Sequence, residues 1–424
     1  MEVQINVLPK DIIIRMALDM SLPTTAVLCQ TNKRFNDLIC ANDDFWRLKF
    51  IKDYGTTSVK GEGSWKGIYR DYMNIWVFGG NDIDQLGLDD NIKRYVPTQI
   101  TRLKAKAISA SSNHSLLIDL NDDVWSFGYN SYGQLGIGDN IKRNIPTQII
   151  GLKAKAISTG SYHSLVLDRD DNVWSFGANN YGQLGLGDKK DRYMPTQIIG
   201  LKAKVISAGS GHSLFVDLNN YVWAFGANNS GQLGLGDNVD RYMPIPIMGL
   251  KAKAISARSY HSLLIDLNDN VWAFGANGFG QLGLGDDLNR YIPTQVRGFK
   301  AKAISTAGYH SLVIDLNDYV WAFGINHVGQ LGFGDNKRRN IPTQLPVFKA
   351  KAISVGTNYS LVIDLNDNVW SFGANGSGQL GLGDNKERNT PTQIIGLKAK
   401  AISSGSDHSL IISLAKVSRY SLAV

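Results

Sequence analysis

Seven of the chain's nine tryptophans, at positions 76, 125, 174, 223, 272, 321 and 370, stand 49 residues apart. A fixed period of this size marks a repeat architecture, in which one supersecondary unit recurs and buries its apolar face against its neighbours. The other two, Trp46 and Trp65, lie upstream, so a non-repetitive head of about 74 residues precedes the array.

One unit runs from Ala156 to Lys204. It holds His163-Ser164-Leu165-Val166-Leu167-Asp168, an Asp-Asp-Asn turn, and Val173-Trp174-Ser175-Phe176-Gly177. Asn179-Asn180-Tyr181-Gly182-Gln183-Leu184-Gly185-Leu186-Gly187-Asp188 follows, then Arg192 and Pro195-Thr196-Gln197. Short runs of Val, Ile, Trp and Phe separated by Gly, Asn and Asp read as strands and turns, with no helical period. Each unit has room for about four strands, the content of a propeller blade. The array opens on a Trp strand, Ile75-Trp76-Val77-Phe78-Gly79, and closes on a His-Ser-Leu strand, His408-Ser409-Leu410-Ile411-Ile412. These complementary halves complete a seventh blade. A linear solenoid would need polar caps, whereas a closed ring removes its exposed edges. The expected fold is mainly β: a seven-bladed β-propeller over residues 75–414, closed by pairing of its first and last strands. A small all-α head, 1–74, precedes it and a tail, 415–424, follows.

Composition narrows the class. Charged residues make up 19% and hydrophobic residues 43% of the 424 positions, which argues against disorder. No apolar run approaches the ~20 residues of a membrane helix, and the start, Met-Glu-Val-Gln-Ile-Asn, lacks the features of a signal peptide. Two cysteines cannot staple a chain of this length, and Cys29 and Cys40 read as thiols of a reducing compartment. The expected location is intracellular, cytoplasmic or nuclear.

The motifs Gly-x-x-His-Ser-Leu, Val-Trp-Ser-Phe-Gly, Asn-x-x-Gly-Gln-Leu-Gly-x-Gly-Asp and Arg-x-x-Pro resemble the regulator of chromosome condensation repeat, found in seven-bladed propellers. Ser111, Arg258 and Ala307 stand where the repeat has glycine, Tyr359 where it has histidine, and Asp84 and Asp89 replace glycines of the first unit. All six read as local changes that leave the fold intact. Residues 8 to 50 resemble an F-box, through Leu8-Pro9-x-Asp11-Ile12-Ile13, Met16 and Met20, then Ala26, Val27, Leu28 and Lys33-Arg34-Phe35, then Leu38, Phe45, Trp46 and Leu48. Thr25, Thr31 and Asn32 depart from that pattern. Ser64 to Met73 reads as one more helix, with Trp65, Ile68, Tyr69 and Tyr72 on one side.

The units can be compared with one another. Columns alike in every unit answer a geometric demand of the blade. The tryptophans read as inter-blade packing, and the histidines at 114, 163, 212, 261, 310 and 408 as hydrogen-bonding groups. Histidines on separate blades are too far apart to share one metal ion. The arginines at 94, 143, 192, 241, 290, 339 and 388 read as loop braces. Lys-Ala-Lys, as at 153/155 and 202/204, recurs in every unit and accounts for part of the net charge of +7. It reads as a solvated face that guards an edge strand, or else as a surface for an acidic partner or nucleic acid. Without interleaved aromatics, nucleic acid is disfavoured. Variable columns are candidates for a partner: the residue before the histidine, and the pair before Gly-Gln-Leu-Gly. They make Tyr132, Tyr162, Tyr181, Tyr260, Phe279, Tyr309 and His327 the expected target-binding residues.

No catalytic residue, cofactor or metal site is expected. The F-box resemblance implies a substrate receptor of a Skp-cullin-F-box ubiquitin ligase. The head would dock on a Skp-type adaptor and its cullin complex through Leu8, Pro9, Ile12, Met16, Leu28, Phe35 and Trp46, a set that also supplies part of the head's own core. The propeller would hold a target protein, and the chain would be monomeric outside that complex, with no membrane contact. The alternatives are a scaffold without a ligase link, or a nucleotide exchange factor for a small GTPase such as Ran. In the repeat family exchange uses a wedge-like insertion in one blade, and the constant 49-residue spacing leaves no room for one. A HECT-type ligase needs a C-terminal cysteine, and both cysteines lie in the head.

Overall fold

The computed structural model describes residues 8–20, 22–54, 64–66 and 73–414. It divides into two compact units, one holding the head helices and one spanning Asn74–Ile412.

The head begins with α1 (Lys10–Asp19), entered from Pro9 at φ −56°, a torsion already suited to a helix start. Helix α2 (Leu22–Thr31) follows. The short α3 (Lys33–Phe35) is capped by Asn32, whose Oδ1 accepts from Phe35 N at 2.9 Å. A π turn (Asn36–Cys40) leads to α4 (Asp43–Tyr54). Ile13, Ala17, Ile39, Phe45 and Phe50 fill the core. Lys49 is buried and donates through Nζ to Leu18 O at 3.0 Å. The two cysteines differ from expectation. Cys29 and Cys40 form a disulfide with Cα atoms 6.2 Å apart, because the chain folds back at the Asn32 cap and lays the π turn beside α2. Of the expected helix over 64–73, Trp65 and Lys66 are helical. Ile68, Tyr69 and Tyr72 lie outside the described residues.

The second unit is the seven-bladed ring. In blade 2 the inner strand is 105–110, paired with His114–Asp119, which pairs with Asp123–Gly128, which pairs with the outer segment 143–153. One 17-residue strand, Arg143–Thr159, supplies both the outer segment of blade 2 and the inner segment of blade 3. It passes between them at Lys-Ala-Lys, with shifts of register on both sides. Every blade is thereby tied covalently to the next along a continuous strand. Blade 1 is assembled from both ends of the array: Ile75 pairs with Ile412, Trp76 with Ile411 and Gly79 with His408. The leftover half-units therefore seal the ring, as the sequence requires. Phe78, Val77, Leu410 and Ile411 are fully buried at this seam.

The inner strands are stitched by a second closed set of contacts. Ser109 Oγ accepts from Thr159 N at 3.0 Å, and Ser158, Ser207, Ser256, Ser305 and Ser354 do the same for the next blade. Ser403 Oγ accepts from Ala110 N at 2.8 Å and closes the circle across the seam. Strand direction puts the inner-strand turns and the long loops after each Trp strand on one face of the ring. The Asp-Asn turns and Lys-Ala-Lys crossings lie on the other.

Truncation of Ile411 to Ala empties a fully buried site in the sealing strand. It should cost about 2–5 kcal/mol, read as a lowered urea midpoint by tryptophan fluorescence. An unchanged midpoint would show that the ring does not depend on its seam.

Candidate functional site

His114 Nε2 lies 2.8 Å from Ser164 Oγ in the next blade, and the pairs His163–Ser213, His212–Ser262, His261–Ser311 and His310–Ser360 repeat this at 2.9–3.1 Å. His408 and Ser115 close the series across the seam at 3.1 Å. Each serine hydroxyl donates onward to a glutamine carbonyl, as Ser164 does to Gln134 O at 2.8 Å. The hydroxyl proton is thus committed, and the imidazole must donate through Nε2–H. Blade by blade the relay runs imidazole, hydroxyl, carbonyl. The distances suit a serine nucleophile and its base, but these histidines and serines are completely buried, and each serine's proton already points at a carbonyl. The set holds blades together.

Tyr359 continues the relay where a histidine is missing, with Oη 2.9 Å from Ser409 Oγ. Gly356 makes this possible: a Cβ there would lie 2.1 Å from the tyrosine ring. Burial raises the Tyr359 phenol pKa. Burial also lowers the pKa of all six buried histidines to about 3.

The arginine column braces its own loops. Arg143 Nη2 meets Asp139 at 2.6 Å and its Nη1 donates to Ile141 O at 2.6 Å, and the other six arginines repeat the pairing at 2.5–2.9 Å. Inside the same loop Asn130 Oδ1 accepts from Leu135 N at 2.9 Å while its Nδ2 donates to Asp139 O at 2.9 Å. The Gly-Gln-Leu-Gly motif is therefore turn geometry. The lysine pairs are similarly engaged. Lys106, Lys155, Lys253, Lys302 and Lys351 pair with the turn aspartates 122, 171, 269, 318 and 367, each held at positive φ. Lys251 and Lys349 lie over Tyr221 and Tyr319 at 4.6 and 4.5 Å. Much of the basic ring is neutralised by its own turns. Each tryptophan from Trp125 on also has a carboxylate six residues back, as Trp174 Nε1 has Asp168 at 2.9 Å. At the seam that turn is missing, and Trp76 Nε1 has no partner among the described residues.

The variable columns behave differently. The residue before Gly-Gln-Leu-Gly in one blade meets the residue before histidine in the next. Tyr132 packs on Tyr162 with ring centroids 5.4 Å apart, and Phe279 on Tyr309 at 4.8 Å. Tyr181 lies against Gly211. Tyr162, Tyr181, Tyr260 and Tyr309 are 37–48% exposed. Tyr260 and His327 are exposed without a ring partner among the described residues, and His327 Nδ1 lies 3.4 Å from Gln330 Nε2. Tyr129, missed in the sequence reading, joins the first cluster at 6.2 Å from Tyr162. The same comparison of units would have found it, because five of the other six units carry Ala178, Ala227, Ala276, Ile325 or Ala374 there. The result is a broken arc of aromatic rings along blades 2 to 6, all on the turn face. Among the described residues no group of three or more His, Cys, Asp or Glu is placed to hold a metal ion.

In the head, the structure divides the expected adaptor-binding set. Phe35 and Trp46 are 1% and 6% exposed and belong to the head's own core, so they cannot be docking residues as they stand. Trp46 Nε1 also donates to Cys40 O at 3.3 Å. Pro9 and Ile12 are exposed, and Leu8, Met16 and Leu28 are half-buried.

The Regulator of chromosome condensation (RCC1) repeat matches seven times, over residues 74–118, 121–167, 170–216, 219–265, 268–314, 317–363 and 366–412. The chain belongs to this repeat family. No such match covers the head, and its resemblance to an F-box is one of sequence pattern alone. A search of curated proteins finds no match. Among solved structures, human WBSCR16 is similar with a TM-score of 0.73 at 20% identity, covering 81% of this chain and 99% of that one. Yeast RCC1 (Prp20), solved bound to Kap60, also scores 0.73, at 21% identity over 81% of this chain and 89% of that one. A second structure of the yeast protein, described with its binding properties to Gsp1p and histones, matches equally at 21% identity, 81% and 92% coverage. At these identities the likeness is one of fold.

The buried histidines set a pH dependence. Their folded pKa is lowered from 6.5 to about 3, so the unfolded chain binds protons between those values and the folded ring does not. The stability is fully present above pH 6.5 and is lost as pH falls, by about 1.4 kcal/mol per histidine per pH unit within that window. The expected outcome is a thermal midpoint that drops steeply between pH 6.5 and 4.5. A flat profile over that range would contradict a relay of neutral imidazoles.

Proposed function

We propose that the chain is a non-catalytic protein-interaction scaffold whose ring captures a protein partner on the turn face. The observation that carries this reading is the arc of exposed aromatic rings at the blade junctions. These are the positions that blade symmetry leaves free, and they combine rigid aromatic area with Asn, Ser and Gly, the composition of adaptable recognition loops. The yeast propeller, with Kap60, Gsp1p and histones named as its binding partners, supports a protein partner for this fold. An exchange-factor role is the weaker form of the reading, because every unit keeps the same spacing and none adds a wedge-like insertion.

A second reading, the substrate receptor of a Skp-cullin-F-box ubiquitin ligase, is favoured by one feature of the head. Helix α1 and its entry leave Pro9 and Ile12 exposed beside half-buried Leu8, Met16 and Leu28. The exposed apolar residues of α1 and its entry are what an adaptor would cover. An intracellular location, cytoplasmic or nuclear, goes with both readings.

The test is capture of partners by the full chain from its native host cell, compared with two double variants, Tyr132→Ser/Tyr162→Ser and Phe279→Ser/Tyr309→Ser. Partner recovery should fall at least about tenfold in one of them, equivalent to about 1.4 kcal/mol of binding. Equal recovery from both would sink the turn-face reading. Direct binding of a purified Skp-type protein, abolished by Ile12→Asp, would support the ligase link, and absence of binding to the unaltered chain would remove it.

A further inference from the structure

Arg258 is where the ring departs furthest from its own repeat. The equivalent residues elsewhere are Ser111, Gly160, Gly209, Ala307, Gly356 and Gly405. With glycine, pairing of the inner strand ends early, as at Thr159↔Ser164. Here Arg258 pairs with His261, leaving Ser259 and Tyr260 as a two-residue turn with Ser259 at φ +50°. The strand gains a residue, and the side chain is carried into the central channel. Its Nη1 donates to Val355 O at 3.2 Å and to Ser404 O, and its Nη2 to Ala110 O at 3.0 Å. Those residues end the inner strands of blades 7, 1 and 2, three consecutive blades across the ring from blade 5. They also lie at the end of the channel that opens on the turn face.

All three acceptors are neutral carbonyls, and no carboxylate pairs with Arg258 among the described residues. Loss of water lowers its pKa to about 10, as expected of a cation without a counter-charge. Its Nε–H and one Nη2–H have no protein acceptor among the described residues. Tyr260 stands on the same turn and Tyr309 on the equivalent turn of blade 6, 46% and 37% exposed.

We infer that the turn face receives an acidic peptide segment of a partner protein, with one carboxylate entering the channel mouth onto Arg258 and the flanking residues lying against Tyr260 and Tyr309. This rests on the reading of the turn face as the interaction surface. A carboxylate offers two acceptor oxygens to the two free N–H groups, in a charge-assisted contact stronger than a neutral one. A phosphate group carries more charge and more acceptors than a single guanidinium can satisfy. The cation is half-buried and already held by three carbonyls in the free ring, so part of the cost of withdrawing it from water does not fall on the partner.

The test sorts a displayed library of random peptides on the full chain and measures the recovered peptides against variants. Asp- or Glu-bearing peptides should be enriched. A recovered peptide should bind Arg258→Gln about tenfold or more weakly, and its own Asp→Asn or Glu→Gln form should lose as much. The two changes together should cost no more than either alone, as for one shared contact. If Arg258→Gln fails to fold, the amide forms of the peptide on the unaltered chain decide alone. Peptides without acidic bias, or acidic peptides indifferent to both changes, overturn the inference. So does displacement of the peptide by inorganic phosphate at an equal concentration, which would make the site a simple anion site. Loss of binding in Tyr260→Ala or Tyr309→Ala with none in Arg258→Gln would leave the turn face standing and remove only the acidic contact. Indifference to all of these variants removes both.

Discussion

Six of the seven blade junctions are made by the same three polar groups: an imidazole N–H, a serine hydroxyl and the main-chain carbonyl of a glutamine. The relay is wholly buried, so its cost when broken is the desolvation of whatever group is left alone, about 1–3 kcal/mol for each one. That penalty explains the form of the repeat. Histidine and serine cannot vary independently, because each satisfies the other, while the third partner is a main-chain carbonyl. Four of the seven blades carry glycine three residues before the ring, where a Cβ would lie 2.1–2.4 Å from it. The one blade that abandons histidine, at Tyr359, keeps the hydroxyl contact and keeps Gly356. The inner serines at 109, 158 and their equivalents add a second circle, which Ser403 closes across the seam. A ring built from such links is closed by the pairing of Ile75–Gly79 with His408–Ile412, because no other blade has its strands on separate ends of the chain.

The architecture was legible in the sequence because symmetry wrote it seven times. A tryptophan every 49 residues, and half-units that complete each other, follow from one blade geometry imposed on one chain. The roles of the repeated polar residues were partly legible for the same reason. Histidines carried on different blades could not meet at one metal, and arginines four residues after an aspartate were placed to brace it. The direction of each hydrogen bond, with the serine donating to glutamine O and hence the imidazole donating to serine, needs the neighbouring blade and is not written in any single unit.

What stayed hidden depended on long-range placement or on the state of a side chain. Phe35 and Trp46 look like Ile12 in an apolar pattern, and only packing shows that they are core while Ile12 is exposed. Cys29 and Cys40 are 11 residues apart in a head too irregular for spacing to dictate a distance. Arg258 read as a tolerated replacement for glycine. Its effect arises from a two-residue turn and from carbonyls 97 to 148 residues away in sequence, which no local motif can encode.

The division between constrained and free positions also separates the two faces of the ring. On the face with the Asp-Asn turns, positive charge from Lys-Ala-Lys is largely spent on the turn aspartates and on tyrosine rings. Most blades repeat that arrangement, which gives a partner little to tell one blade from the next. The turn face is the opposite. Its backbone is fixed by the Asn, Gln and Arg braces, while the side chains at each blade junction differ: paired rings at Tyr132–Tyr162 and Phe279–Tyr309, a lone Tyr260, and Asn113 and Asp407 on the blades nearest the seam. Rigid support beneath and varied chemistry above is the condition for specific recognition, since little conformational entropy is lost on binding and only one orientation around the ring matches. Arg258 strengthens that argument, because a single charge reaching in from blade 5 breaks the sevenfold equivalence at the channel mouth, where every other blade carries Gly, Ala or Ser.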